Sequence, residues 1–241
     1  MRAVVQIPAY HEGPRLAETA EAILQQRAPA GATVDVEAWV TPDPDPSSCS
    51  TWATAEGVSG LDVYEAPIGK LSARNAAHSH AVTAGYDAFV TWDADAVPLH
   101  DQVLVELLAP LMESEQYPAV NSTPVTDPDG DGGLLAQVVD FAGRAEDTLT
   151  PHLNGQAHAI RTSAWKQTGP FDTDRDETSL WETRQEEEYG MWGRLRRLGP
   201  IPRPNKATVF NDPRRHICKI PGAASPDWCD AVNMTETRER E

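Results

Sequence analysis

Along the first half of the chain the hydrophobic residues follow two alternating rhythms. Short apolar runs end in proline, glycine or aspartate, and between them apolar positions recur every three or four residues. These are the respective marks of buried strands and amphipathic helices. Ala3 to Pro8 predicts a strand ending in the turn Pro-Ala-Tyr-His-Glu-Gly, and Leu16, Ala20, Ile23 and Leu24 predict a helix over Pro14 to Arg27. Val34 to Val40 predicts a second strand, stopped by the Pro-Asp-Pro-Asp-Pro segment at positions 42 to 46. Leu61 to Ala66 follows as a third strand, and the alanine-rich stretch Leu71 to Gly85 as a helix. Ala88 to Trp92 is the fourth strand, with a helix over Gln102 to Met112 behind it. This order predicts an α/β fold: a mostly parallel sheet with helices on both faces.

Beyond Tyr117 the pattern is less regular. A strand is expected at Ala119 to Val125, then an Asp/Gly loop at 127 to 133, and a further strand at Gln156 to Arg161. A helix is expected from about Gln185 to Leu198, because acids open it, arginines close it and Gly199-Pro200 stops it. From Pro221 the chain is polar and aperiodic, so residues 221–241 are expected to form a polar tail.

Composition narrows the partners. At 241 residues the chain suits one substantial α/β domain. A net charge of -17 argues against nucleic acid, whose phosphates need cationic patches. Lysine occurs only at Lys70, Lys166, Lys206 and Lys219, and this acid-rich, lysine-poor make-up resembles the surface chemistry of proteins from the salt-saturated cytoplasm of halophilic archaea. Cys49, Cys218 and Cys229 cannot all pair, and no close Cys-x-x-Cys exists, so reduced thiols without a metal role are expected. No signal peptide and no apolar run near the ~20 residues of a membrane span is visible, which predicts a cytoplasmic protein with room for peripheral contact at the inner membrane face.

Four segments carry candidate chemistry. The central one is Asp93-Ala94-Asp95, which follows the buried run Ala88 to Trp92 and so lies in the crevice where open α/β sheets bind ligands. Two carboxylates one residue apart can share a divalent cation that grips nucleotide phosphates. Earlier, Ile7-Pro8-Ala9-Tyr10-His11-Glu12 offers a stacking or edge surface in Tyr10 and an acceptor in Glu12. Gly69-Lys70-Leu71-Ser72-Ala73-Arg74-Asn75 opens a helix whose free N–H groups and positive dipole end suit a diphosphate. Arg74 can fork onto oxygens there, and Asn75 can fix the neighbouring loop. Last comes Glu186-Glu187-Glu188, followed by Arg194-Leu195. Carboxylates favour the first turn of any helix, and since adjacent helical residues point ~100° apart, the three acids face different ways.

In this order the four segments resemble an inverting family-two glycosyltransferase of the GT-A fold, over roughly residues 3 to 199. The resemblance implies one GT-A domain over 1–220, with a donor half of about 1–100 and an acceptor half of about 101–220. It further implies transfer of a sugar from a nucleoside-diphosphate sugar to a hydroxyl of a glycan, lipid-linked or other acceptor, with inversion. Pro8, Ala9, Tyr10 and Glu12 would hold the base and ribose, with His11 where the family has Asn; Lys70, Arg74 and Asn75 would also face the donor. Asp95 would be the more direct ligand of Mn²⁺ or Mg²⁺, and Asp93 would lie nearer the ribose or donor sugar. The Arg-Leu register aligns Glu187 and Glu188 with the family's acid pair, usually Glu-Asp, making Glu188 the candidate base and Glu187 its alternative. Asn154 to Arg161, with Gly155 and Gln156, and Gly169-Pro170-Phe171-Asp172 would border the acceptor pocket. Trp181 is either a platform for a sugar ring or a core residue, and His216 is a candidate late metal ligand. Asp43 stands near the family's paired base-recognition acids, which Thr41-Pro42-Asp43 replaces.

Two rivals are weaker on the residues. Asp127-x-Asp129-x-Asp131-Gly132 begins like a calcium loop, but Val138 occupies position 12, where a bidentate acid is required. A nucleotidyltransferase would want a Gly-rich basic loop early on, and residues 8 to 14 contain only Gly13. A nucleotide-sugar or calcium-binding module without catalysis is the non-enzymatic alternative.

Overall fold

Val4, Val5 and Ile7, then Val34, Val36 and Val40, are β-branched residues that fit a pleated surface buried on both faces. In a computed structural model of the protein, residues 1–10, 12–42, 51–125, 152–153, 155–173 and 185–211 are described, without the side chains of 185, 187, 188 and 211. Strands β1 (Arg2–Ala9), β2 (Thr33–Val40), β3 (Asp62–Glu65) and β4 (Ala88–Trp92) run parallel in the order β3-β2-β1-β4. After β5 (Ala96–Pro98) come β6 (Ala119–Asn121), β7 (Thr123–Val125), β8 (Ala157–Arg161) and β9 (Thr208–Asn211). β8 joins β4 antiparallel, with Thr91 opposite His158, and β6 closes the six-stranded sheet beyond it. A second sheet has the order β5-β9-β7.

The alternation of side chains divides the core. From β1, Ala3, Val5 and Ile7 face one layer, where α1 (Pro14–Leu24) contributes Leu16, Ala20 and Ile23 and α4 (Val103–Glu113) contributes Leu104, Leu107, Leu108 and Leu111. Val4 and Phe89 face the opposite layer, built from α3 (Lys70–Thr83), α5 (Thr162–Thr168) and α6 (Met191–Arg196). A short helix, α2 (Thr51–Glu56), adds Ala55 to the first layer. Every parallel strand therefore ends, at its C-terminal side, on the same edge of the sheet. No helix among the described residues is long and apolar enough to cross a membrane.

Three expectations change. Ala119 to Val125 is not one strand: the chain leaves the first sheet at Ser122, whose N–H and hydroxyl both bond Ala157 O, and enters the second sheet at Thr123, whose N–H bonds Ala207 O. The first helix ends at Leu24 rather than Arg27, and Arg27 N–H bonds Asp101 O instead. The last helix opens as a π-helical turn, Gln185–Gly190, before becoming α-helical as α6. Residues 221–241 and the Asp127 to Gly132 loop lie outside the described residues.

Candidate functional site

The C-terminal ends of β1, β2 and β4, together with the segment that leads into α3, open onto one cavity of about 630 Å³. The β1 end contributes Pro8, Ala9, Tyr10 and Glu12; the β2 end, Thr41; the segment before α3, Ile68 and Gly69; α3 itself, Lys70 and Ala73; and the β4 end, Asp93, Ala94 and Asp95. Three of the four segments singled out in the sequence thus share a single lining. Among these residues are three carboxylates, Glu12, Asp93 and Asp95, and one cation, Lys70. A diphosphate entering this lining meets repulsion unless positive charge comes with it.

Local backbone chemistry shapes the floor. Gly69 has φ 104°, a conformation that side chains disfavour, and its carbonyl accepts the first helical bond, from Ala73 N–H at 2.9 Å. Gly69, the N-cap, has no side chain to cap with, and the positive end of the helix dipole stands at the cavity, where Gly69 and Lys70 line it. Across from it, Asp93 to Ala96 is a tight turn: Ala96 N–H bonds Asp93 O at 3.1 Å, and the buried Trp92 indole N–H donates to Ala96 O. Ala94 is buried in the middle of the turn, and the two acids flank it.

Arg74 takes a place the sequence reading did not give it. Ala73 lines the cavity, and the ~100° step to the next helical residue turns Arg74 toward β4 instead. Its guanidinium is fully buried and donates from Nη2 to Asp93 Oδ1 at 2.6 Å and to Gly155 O at 3.2 Å. Rather than forking onto a diphosphate, Arg74 holds the acid that borders the cavity. Asp93 N–H also bonds Gln156 O at 2.8 Å, so Gly155 and Gln156, expected on the acceptor side, are fastened directly behind Asp93. Asn75, expected on the donor, brackets the backbone of Phe171: Nδ2 donates to Phe171 O at 3.0 Å and Oδ1 accepts from Phe171 N–H at 2.9 Å.

Below Arg74, His78 is fully buried between β4 and α5. Its Nε2 lies 2.9 Å from Thr91 Oγ1, and its ring stacks on Phe89 and meets Trp165 edge-on. Burial pushes its pKa well below the ordinary 6.5, and the neighbouring Arg74 and His158 push the same way.

Of the three consecutive acids, Glu186 is buried. Its Oε1 accepts from Arg194 Nη2 at 2.6 Å and from Asp172 N–H at 3.2 Å. The side chains of Glu187 and Glu188, and all of His11, Asp43, Trp181 and His216, lie outside the described residues. Among the described residues no group of three or more metal-ligating side chains exists; Asp93 and Asp95 are the two carboxylates that the turn after β4 brings to the cavity. Ile68 escaped the sequence reading. It is 84% exposed at the cavity, and its signal was a lone apolar residue in the loop just before Gly69.

No family model and no curated protein matches the chain. Solved structures do. A mannosyltransferase from Pyrobaculum calidifontis, PcManGT, in complex with GDP-Man and Mn²⁺, superposes with a TM-score of 0.60 at 20% identity, over 99% of this chain and 61% of that one. Glucosyl-3-phosphoglycerate synthase from Mycobacterium tuberculosis, with Mn²⁺, UDP and glucosyl-3-phosphoglycerate, gives 0.54 at 17% identity, over 87% and 70%. S. aureus TarS gives 0.56 at 15% identity, over 89% and 37%. The chain thus spans about three fifths of the mannosyltransferase and a smaller share of TarS. Its mostly parallel sheet, flanked by helices and crossed by one antiparallel strand, is the GT-A glycosyltransferase fold.

Proposed function

We propose that this protein transfers a sugar, hexosyl in type, from a nucleoside-diphosphate sugar to an acceptor hydroxyl, with inversion and with the help of Mn²⁺ or Mg²⁺. One observation carries the reading: the Tyr10–Glu12 turn, the Gly69–Ala73 helix start and Asp93–Asp95 line the same cavity at the C-terminal edge of the sheet. Tyr10 and Ile68, both exposed at its rim, offer faces to a base; Lys70 and the α3 N-terminus receive the diphosphate. The fold neighbours in complex with GDP-Man or UDP and Mn²⁺ support a nucleotide-sugar donor here.

The residues fit a hard divalent cation. Asp95 and Asp93 are oxygen ligands, two carboxylates are what Mg²⁺ commonly takes alongside substrate phosphates, and the acid excess of the lining calls for positive charge. Such a cation, when bound, offsets the charge that develops on the departing diphosphate. The chain's own residues do the rest. Arg74 keeps Asp93 in place, the helix start orients the phosphates, and a carboxylate of the acidic turn, Glu188 in this reading, takes the proton as the acceptor oxygen attacks the anomeric carbon. The transition state has oxocarbenium character.

A thermal-shift panel of nucleoside diphosphates with Mn²⁺ at high salt should identify the base by its stabilisation of the fold. Asp95→Ala should abolish the metal-dependent part of that shift; intact binding and turnover in this variant would sink the metal assignment. A protein that binds donor yet releases no diphosphate with any acceptor is a binding module and not a transferase.

A further inference from the structure

The glycosyl-transfer reading leaves the first of the three consecutive acids without a task, and the contacts of Glu186 supply one. The backbone of Pro170 to Asp172 is gripped from two sides. From α3, Asn75 makes its two bonds to Phe171, at 3.0 and 2.9 Å. From the acidic turn, Glu186 Oε1 accepts the next amide, Asp172 N–H, at 3.2 Å. The same oxygen accepts from Arg194 Nη2 at 2.6 Å, and Arg194 Nη2 also reaches Pro170 O at 3.4 Å. The Glu186 side chain is 7% exposed, so its carboxylate is spent on the protein. The neighbouring residue of α3, Arg74, holds Asp93 and Gly155. Two adjacent helical positions, projecting ~100° apart, therefore connect the cavity's acid to one end of a chain of bonds and the acidic turn to the other.

We infer that Glu186 is a positioning residue: together with Arg194 and Asn75 it clamps the turn Pro170–Asp172 and so locks the acidic π-turn to the helix that carries the donor site. This rests on the glycosyl-transfer reading. The physical need is plain. A π-turn makes i→i+5 bonds, is rare, and occurs mostly as a single turn within a helix, frequently at functional sites. Glu187 and Glu188 follow Glu186 directly in that turn, and a base must stand within hydrogen-bond reach of the proton it takes. A charge-assisted pair that also satisfies a backbone N–H is a stiff tether for it.

The test combines kinetics with amide exchange. Glu186→Ala should lower kcat by about 10²-fold, the usual cost of a misplacement near 1 Å, while the KM for donor stays at the wild-type value. Amide exchange at Asp172 should accelerate in the same variant. Glu186→Gln keeps the Oε1 acceptor and loses only the ionic part, so its kcat should fall by no more than about tenfold. Arg194→Ala should lower kcat too, and its loss should not add to that of Glu186→Ala, because both break one tether. Two results overturn the inference: Glu186→Gln stopping transfer as fully as Glu186→Ala, which makes Glu186 a chemical carboxylate, or Glu186→Ala leaving kcat and Asp172 exchange unchanged. Should the wild-type protein transfer no sugar at all, the proposed function fails. The exchange of the Phe171 and Asp172 amides in Asn75→Ala and Glu186→Ala then still decides whether the clamp exists.

Discussion

Arg74 Nη2 stands 2.6 Å from Asp93 Oδ1, with the guanidinium fully buried and the carboxylate 23% exposed. The pair is one-sided. The cation is sealed behind the sheet, and the anion it holds looks out into the cavity. Both bonds, to Asp93 and to Gly155 O, come from the terminal nitrogen Nη2, and the shorter lysine stem would hold its ammonium back from that point. Arg74→Lys should therefore weaken Mn²⁺-dependent binding of nucleoside diphosphate by about 10- to 100-fold, as loss of a partner behind a metal-ligating group typically does. Calorimetric titration at fixed Mn²⁺ measures this. Wild-type affinity in the variant would disconnect Arg74 from the donor site.

On the proposed function, variants of the acidic turn should separate binding from chemistry. Glu188→Gln removes the candidate base and leaves the described residues of the cavity lining unchanged, so nucleotide affinity should persist while transfer falls by about 10²- to 10⁴-fold. Should Glu187→Gln alone produce that pattern, the base is Glu187. Parallel measurement of diphosphate release and nucleotide affinity in the two variants distinguishes the assignments.

Ile68 is 84% exposed at the rim of the cavity, where a base or ribose that covered it would remove apolar surface from water. Covering about 40 Å² contributes about 1 kcal/mol, so Ile68→Ser should weaken donor binding about fivefold. Because the side chain packs on little in the free protein, unfolding stability should stay within about 0.5 kcal/mol of wild type. Unchanged donor affinity in Ile68→Ser would remove this residue from the base site.

His78 makes stability depend on acid. Its folded pKa lies well below 6.5, whereas the unfolded chain titrates near that value, so below about pH 6.5 the unfolded state binds more protons than the folded one. Stability contributed by the neutral ring is full above pH 6.5 and is lost as pH falls toward the folded pKa, with a slope of up to about 1.4 kcal/mol per pH unit. His78→Gln, which can still reach Thr91, should flatten that part of the acid limb in denaturant titrations at several pH values. An acid limb identical to wild type would show that His78 is not its source.

How far the chain could be read in advance is visible in particular elements. Ala88 to Trp92 is a strand over the very residues expected, because a run this short between turn signals suits a buried strand and is too short for a helix. The helix over Lys70–Thr83 was placed within two residues at each end, because Gly69 and Gly85 punctuate it. The second sheet was not foreseen. β5 and β7 have three residues each, too few to show a period, and β9 pairs with both from far along the chain. Nor could periodicity reveal the π-turn, since an acidic first turn reads the same in either helix type.

The site divides along the same line. Which residues border the cavity followed from motif and element end: Tyr10 and Glu12 follow β1, Asp93 and Asp95 follow β4, and Lys70 opens α3, elements that the hydrophobic pattern already marked. Alternation and turn chemistry are short-range, and a linear sequence displays them. What the side chains behind that edge do was decided only by tertiary structure. Arg74 and Asn75 read as donor-facing residues, Asn75 also as one that fixes a neighbouring loop; Arg74 is buried on Asp93, 19 residues away, and half-buried Asn75 bonds Phe171, 96 residues away. The physical reason is that a buried charge or amide must find its partner wherever the fold brings one within reach. No spacing along the chain encodes that distance, and so the partners of Arg74, Asn75 and Glu186 appear only once the sheet has placed α3, the Phe171 turn and the acidic turn side by side.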